Sequence, residues 1–170
     1  MKTLAALAFP TAVLAGCAAI DVPVLGTTAD LISTSGAVVG TVTPSQTSGG
    51  VTLSISGSGL PHGLHGFHVH TIGRCDPPGF ESAGAHWNPQ DRQHGTQNPR
   101  GPHAGDLPNV TVSSSGILSE TVVIAGTSLA GLADADGSAL VLHAQADDYM
   151  TDPSGNSGAR IACAVLAVAN

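Results

Sequence analysis

From Thr28 onward the chain is a succession of short stretches in which apolar and polar residues alternate. Residues 51–56 are the clearest case: Val51, Leu53 and Ile55 share one parity, and Thr52, Ser54 and Ser56 the other. A period of two marks a strand with one buried face. Strand-like runs at Thr28–Ser33 and Ala37–Thr43 precede it, and Ser48-Gly49-Gly50 and Ser56-Gly57-Ser58-Gly59 supply turns on either side. A fourth run covers Leu64–Thr71. The alternation then stops, and Ile72–Asp106 is a long stretch rich in Gly, Pro, Asn and Gln. Patterned runs return at Leu107–Val112 and Ile117–Ile124. After a loop or helical turn near Leu129–Leu132 comes another at Ala139–His143. A second, shorter loop, Asp147–Ala159, leads to a last run at Arg160–Val168. Eight short strands predict an all-β sandwich or barrel. Two long loops interrupt it, and loops of that length in a compact domain are functional or disordered.

Composition supports the strand reading. Of 170 residues 42% are hydrophobic but only 3% aromatic, with 22 glycines and 11 prolines, so the core must be built from Val, Leu, Ile and Ala between many turns. The length suits one domain with a full core. A formal charge of −7 excludes a nucleic-acid partner.

The N-terminus reads as a targeting segment. Lys2 is followed by the apolar stretch Leu4–Ala15, too short to span a membrane. It runs into Leu14-Ala15-Gly16-Cys17, which resembles the lipobox of bacterial lipoproteins. The resemblance implies a signal peptide at residues 1–16, lipidation of Cys17, a tether over 17–26 and a folded domain over 27–170. An ordinary signal peptide is the alternative, but no small-x-small cleavage site follows the apolar run. Loss of residues 1–16 removes the only lysine and leaves four arginines against twelve acids, a net charge of −8. In an exported protein Cys75 and Cys163 are then either a bridge or two buried thiols. A bridge would close a loop of 88 residues, about 4–5 kcal/mol in the chain-entropy model.

The chemistry concentrates between His65 and Asp106, where six of the eight histidines lie. Neutral imidazole is the commonest metal ligand. On a strand His68 and His70 project from one face and Phe67 and Val69 from the other, so the two histidines form a clamp on a rigid sheet. His65 has the opposite parity and reads as a structural histidine; His62 reads as a surface residue. His86, His94, His103 and Asp106 follow at gaps of eight, nine and three, and three imidazoles with one carboxylate suit a closed tetrahedral zinc site. His143 stands alone at a strand end, followed by Ala-Gln-Ala-Asp-Asp, whose carboxylates could orient a ligand.

HGFHVH, GAHWNP, HAGDLPN, LHAQADD and GNSGARIAC, in this order and spacing, resemble the copper/zinc superoxide dismutase family in its bacterial exported form, across roughly residues 28–168. The resemblance implies a Greek-key β-sandwich or barrel and an antioxidant enzyme that dismutes superoxide. It implies copper bound by His68, His70, His86 and His143, and zinc by His86, His94, His103 and Asp106. Asp147 would link the outer nitrogens of His68 and His94. Arg160 would attract the superoxide anion, and His86 would take up a proton during turnover. Cys75 and Cys163 would form a disulfide. A periplasmic or cell-surface location and a membrane contact through Cys17 follow from the leader, and family members include monomers and homodimers. A non-catalytic metal-binding relative would be expected to lose a copper ligand or the arginine; this chain has all of them. The departure is at the rim: only twelve residues separate Asp147 from Arg160, and none is a lysine.

Overall fold

The computed structural model describes residues 26–168. The expected signal peptide, the lipidated Cys17 and most of the tether lie outside the described residues. Within them are nine strands: β1 (Ala29–Ser33), β2 (Val38–Thr47), β3 (Gly50–Gly57), β4 (Gly63–His65), β5 (Phe67–His70), β6 (Val110–Val112), β7 (Leu118–Ala125), β8 (Ser138–His143) and β9 (Arg160–Ala167). All eight expected runs contain a strand. The count rises to nine because the fourth run is broken at Gly66, between β4 and β5. There the chain passes from one sheet to another, with Gly66 N–H donating to the Gln145 carbonyl and its own carbonyl accepting from His143 N–H. A Cβ on Gly66 would stand 2.7 Å from Ser157 Cβ. The run at 107–112 shortens to β6.

Seven strands form one antiparallel sheet in the order β5-β8-β9-β1-β2-β3-β7, and β4 pairs with β6 in a small second sheet. β4 continues into β5, and β6 lies against β7, so the curled large sheet and the small one wrap a single interior. β4, β6 and β7 run side by side while the earlier β3 lies beside β7, a Greek-key order. The alternation works as expected. Val51, Leu53 and Ile55 of β3 and Leu118, Val122 and Ile124 of β7 all point into the core, at 8% exposure or less. The predicted turn at Leu129–Leu132 is a single helical turn, capped by Ser128 Oγ accepting from Gly131 N–H, and it buries Leu132.

β5 and β8 depart from one-sided burial: every residue in both is buried. Their inner faces, Phe67, Val69, Leu140 and Leu142, belong to the main core. Their outer faces are covered by the long loop. Phe80 and Ala83 of that loop pack on Ala139, Val141 and Cys163 in a second apolar cluster that Cys75 borders. β5 is an edge strand, and the loop backbone occupies its free edge. Val69 N–H donates to Gly105 O, Trp87 N–H to Val69 O, and Thr71 N–H to Ala85 O. An exposed edge is thereby covered, and the residues so docked are the neighbours of His86 and Asp106.

Candidate metal centre

Pairing of the loop to β5 sets the site. His70 bridges to His86 and His68 to Asp106 across that edge, so two loop residues meet the clamp of β5 directly. Phe67 and Val69 face the core, and His68 and His70 face outward beneath the loop, buried completely. β8 pairs with β5 and β9, bringing His143 beside the pair; His143 is also the register partner of Arg160. The long loop and the far end of the chain thus converge on one strand face.

Four nitrogens there are buried without any hydrogen-bond partner: Nδ1 of His68 and Nε2 of His70, His86 and His143. The ligand atoms of these four residues lie within 4.8 Å of one another. Unpartnered buried polar atoms are costly, and four converging imidazole lone pairs fit a copper ion. The other nitrogens fix the tautomers. His68 Nε2 is 2.7 Å from Asp147 Oδ2, His70 Nδ1 is 2.9 Å from Gly84 O, and His143 Nδ1 is 3.1 Å from Gly158 O. Each ring therefore turns its bare nitrogen to the centre, as histidine ligands oriented by an outer partner do. Burial pushes the His70 ring down to about 2, that of His143 to about 3 and that of His86 to about 4. His68 is lowered by burial too, with Asp147 pulling the other way. All four are neutral at pH 7, the form that binds metal.

The second group surrounds Asp106 Oδ1. Nδ1 of His86, His94 and His103 lie 2.9, 3.0 and 3.2 Å from it, and His103 Nδ1 is 3.4 Å from His86 Nδ1. Ligands about 2.0–2.1 Å from a tetrahedral zinc stand roughly 3.3 Å apart, so these atoms already span a tetrahedron of nearly the right size. A His68 nitrogen also comes within 4.8 Å of the His86, His94 and Asp106 ligand atoms. Since His68 Nε2 is held by Asp147 and Nδ1 belongs to the first group, His103 is the fourth member here. His86 joins both groups, one nitrogen to each. Copper and zinc sites are therefore formed by His68, His70, His86 and His143, and by His86, His94, His103 and Asp106.

Charge pairs this second group. Asp106 Oδ2 accepts the backbone N–H groups of Gly95 and His103. Burial would raise its carboxyl, but hydrogen bonds from His103, His86 and His94 hold it well below the usual range. Burial likewise opposes charge on His94, yet Asp106 and Asp147 outweigh it and hold that ring up at about 9. Asp147 Oδ1 lies 3.0 Å from His94 Nε2, so one carboxylate joins an outer nitrogen of each group, the arrangement the sequence resemblance implies.

Arg160 opens β9 and is half-buried. Its two terminal nitrogens donate to Phe80 O at 2.6 Å and Gly84 O at 2.7 Å; Gly84 O also faces His70. Arg160, His70, His86, His143, Pro153 and Ser154 line a cleft of about 350 Å³. Cys75 and Cys163 are bonded, with Cα atoms 5.7 Å apart, tying the long loop to β9. His65 is buried against the carbonyls of His143 and Pro61, at 2.8 and 2.9 Å, a bracing histidine as its parity suggests. Arg74 is exposed and paired with Asp76.

Three supporting residues escaped the sequence reading. Asn109 brackets Asp147, its Nδ2 donating to Asp147 O and its Oδ1 accepting from Asp147 N–H. Gly155 (φ +63°) leaves room for the Asp147 carboxylate, which any Cβ would strike. Asp152 Oδ1 accepts His94 N–H at 2.6 Å. Asn109 and Gly155 lie in stretches that carry the resemblance, but nothing in the spacing tells which distant residue each meets.

A family model described as copper/zinc superoxide dismutase matches residues 38–166. Among curated proteins, a Cu-Zn superoxide dismutase of Aquifex aeolicus is 41% identical over 148 residues, covering 84% of this chain and 88% of that one. A superoxide dismutase-like protein of Bacillus subtilis is 41% identical over 154 residues, covering 86% and 79%. Among solved structures, a superoxide dismutase-like protein from Bacillus subtilis superposes with a TM-score of 0.78 at 42% identity, over 82% of this chain and 97% of that one. The Cu/Zn superoxide dismutase of Brucella abortus gives 0.69 at 34%, over 82% and 98%.

Proposed function

The chain belongs to the copper/zinc superoxide dismutase family with both metal-ligand groups intact, and we propose that it removes superoxide outside the cytoplasm, held at a membrane by lipid on Cys17. The observation that carries the reading is the set of four orphaned imidazole nitrogens in which His86 also reaches the Asp106 group. Copper, when bound, supplies the one-electron exchange by which two superoxide ions and two protons become dioxygen and hydrogen peroxide, chemistry that zinc lacks.

The protein's own groups do the rest. Arg160, pinned by Phe80 O and Gly84 O at the cleft wall, is the cation that draws superoxide in and orients it. Its two carbonyl contacts fix the guanidinium plane, so the anion meets a preorganised donor. His86 lines the same cleft, and its Nε2 is the atom at which a proton is held and passed to the nascent peroxide. Asp147 keeps the rings of His68 and His94 turned to their centres. Pro153 and Ser154 form part of the cleft wall.

Signal peptide 1–16, tether 17–26 and domain 27–170 remain the proposed division, with the mature protein periplasmic or at the cell surface. Its partners are superoxide, a membrane surface and, in a homodimer, a second copy, which sedimentation would read directly. The deciding experiment loads the purified domain with copper and zinc and measures superoxide consumption. Inactivity in protein shown to hold both metals would overturn the enzymatic reading. Intact mass should show lipid on Cys17, and Cys17→Ser should release soluble protein.

A further inference from the structure

Five of the six ligand imidazoles have both ring nitrogens accounted for. Asp147 takes the outer nitrogens of His68 and His94, the carbonyls of Gly84 and Gly158 take those of His70 and His143, and His86 gives one nitrogen to each group. His103 is the sixth. Its Nδ1 stands among the zinc ligands, and its Nε2 faces the Asp152 carboxylate at 3.9 Å. The same oxygen, Asp152 Oδ1, accepts the backbone N–H of His94 at 2.6 Å. Asp152 thus binds the backbone of one zinc ligand and stands near the ring of another from the second loop, and the next two residues, Pro153 and Ser154, line the copper cleft.

The geometry points to Asp152 as a positioning residue for the zinc centre, holding His94 through its amide, presenting its carboxylate toward the outer nitrogen of His103, and fastening the cleft wall to the zinc loop. A histidine that binds metal through one nitrogen carries its proton on the other, and a carboxylate there fixes the ring and makes it a better donor. The amide contact is short and charge-assisted, and it makes His94 and the second loop move together. Asp152 is 44% exposed, so its charge acts on His103 through partly screening solvent, and the amide contact is the stronger of the two. The inference rests on His94 and His103 being zinc ligands.

The test measures zinc affinity of the copper-free full chain by chelator competition, with cobalt replacing zinc as a spectroscopic reporter. Asp152→Ala is expected to weaken zinc about 10-fold, the lower end of the effect of removing such an outer partner, and to shift the cobalt ligand-field bands. Asp152→Asn keeps an acceptor for His94 N–H but no charge toward His103, and should fall between. The melting temperature of the zinc-loaded Asp152→Ala variant should drop while that of its metal-free form holds. Unchanged zinc affinity in Asp152→Ala overturns the inference, as does an equal drop in melting temperature with and without zinc, which marks a loop brace only. A native chain that takes no zinc at these residues sinks the zinc reading along with it.

Discussion

His143 shows how much one side chain carries. It reaches the site from the far end of the chain, and its Nε2 completes the orphaned set while its Nδ1 is held by Gly158 O. In the Asp106 group it neighbours His86, the residue common to both sets, at 6.1 Å between ring centroids, and it supplies no ligand atom to that group. His143→Ala should therefore abolish copper-dependent turnover and leave zinc binding largely intact, as paired metal analysis and activity assays would show; loss of zinc instead would mean the ligand is misassigned. Protonation at single residues also sets the pH response of the metal-free protein. His86 and His143 are lowered to about 4 and about 3. Below the ordinary 6.5 the unfolded chain takes up protons that these buried rings refuse, and stability falls as pH drops. His94 is raised to about 9, so its contribution is full below 6.5 and is lost as pH rises through 9. The melting temperature of the metal-free domain should therefore be highest near pH 6.5, declining on the acid side down to about pH 4 and on the alkaline side up to about pH 9. A flat profile would contradict both assignments.

At the scale of elements, the long loop is held by three means: backbone pairing to the edge of β5, the cluster around Phe80, and the Cys75–Cys163 bond that runs into that cluster. Cys163→Ser should cost about 4–5 kcal/mol of stability on the chain-entropy estimate for an 88-residue closure, measurable by denaturant unfolding. The remaining two anchors should keep the three β5 and β8 histidines, His68, His70 and His143, recognisable by copper spectroscopy at low temperature. Much of this was legible in the sequence. The period of two identified β3 and β7, and the parity of His68 and His70 against Phe67 and Val69 gave the correct faces. What was not legible is long-range. Nothing in the alternation of 64–71 announces the break at Gly66, because the cause is the approach of Gln145 and Ser157 from about eighty and ninety residues away. Nor does periodicity tell that β5 and β8 are buried on both faces, since the cover is a loop without a period. Asn109, Asp152 and Gly155 serve the site only through partners that folding supplies.

For the whole molecule the question is how an anion finds its way to a negative protein. With −8 on the mature chain proposed above, two divalent metals and one imidazolate would bring the formal charge only to about −5. Arg160 is the cation lining the cleft, and the second loop has no lysine. Raising ionic strength from about 0.01 to 0.15 M shortens the screening length from about 30 to 8 Å, which damps the diffuse repulsion more than the pull of Arg160 at close range. Kcat/KM should hold or rise over that span, and a steep fall would reveal an attractive long-range field that the charge distribution lacks. The two centres are also not independent occupants. Asp147 gives one oxygen to His68 and the other to His94, so an ion that orders either ring prepays part of the ordering of its neighbour. Such cooperativity is reciprocal by thermodynamic necessity. Whatever factor bound zinc adds to the affinity for copper, bound copper must return to zinc, and titrating the metals in both orders should give the same ratio.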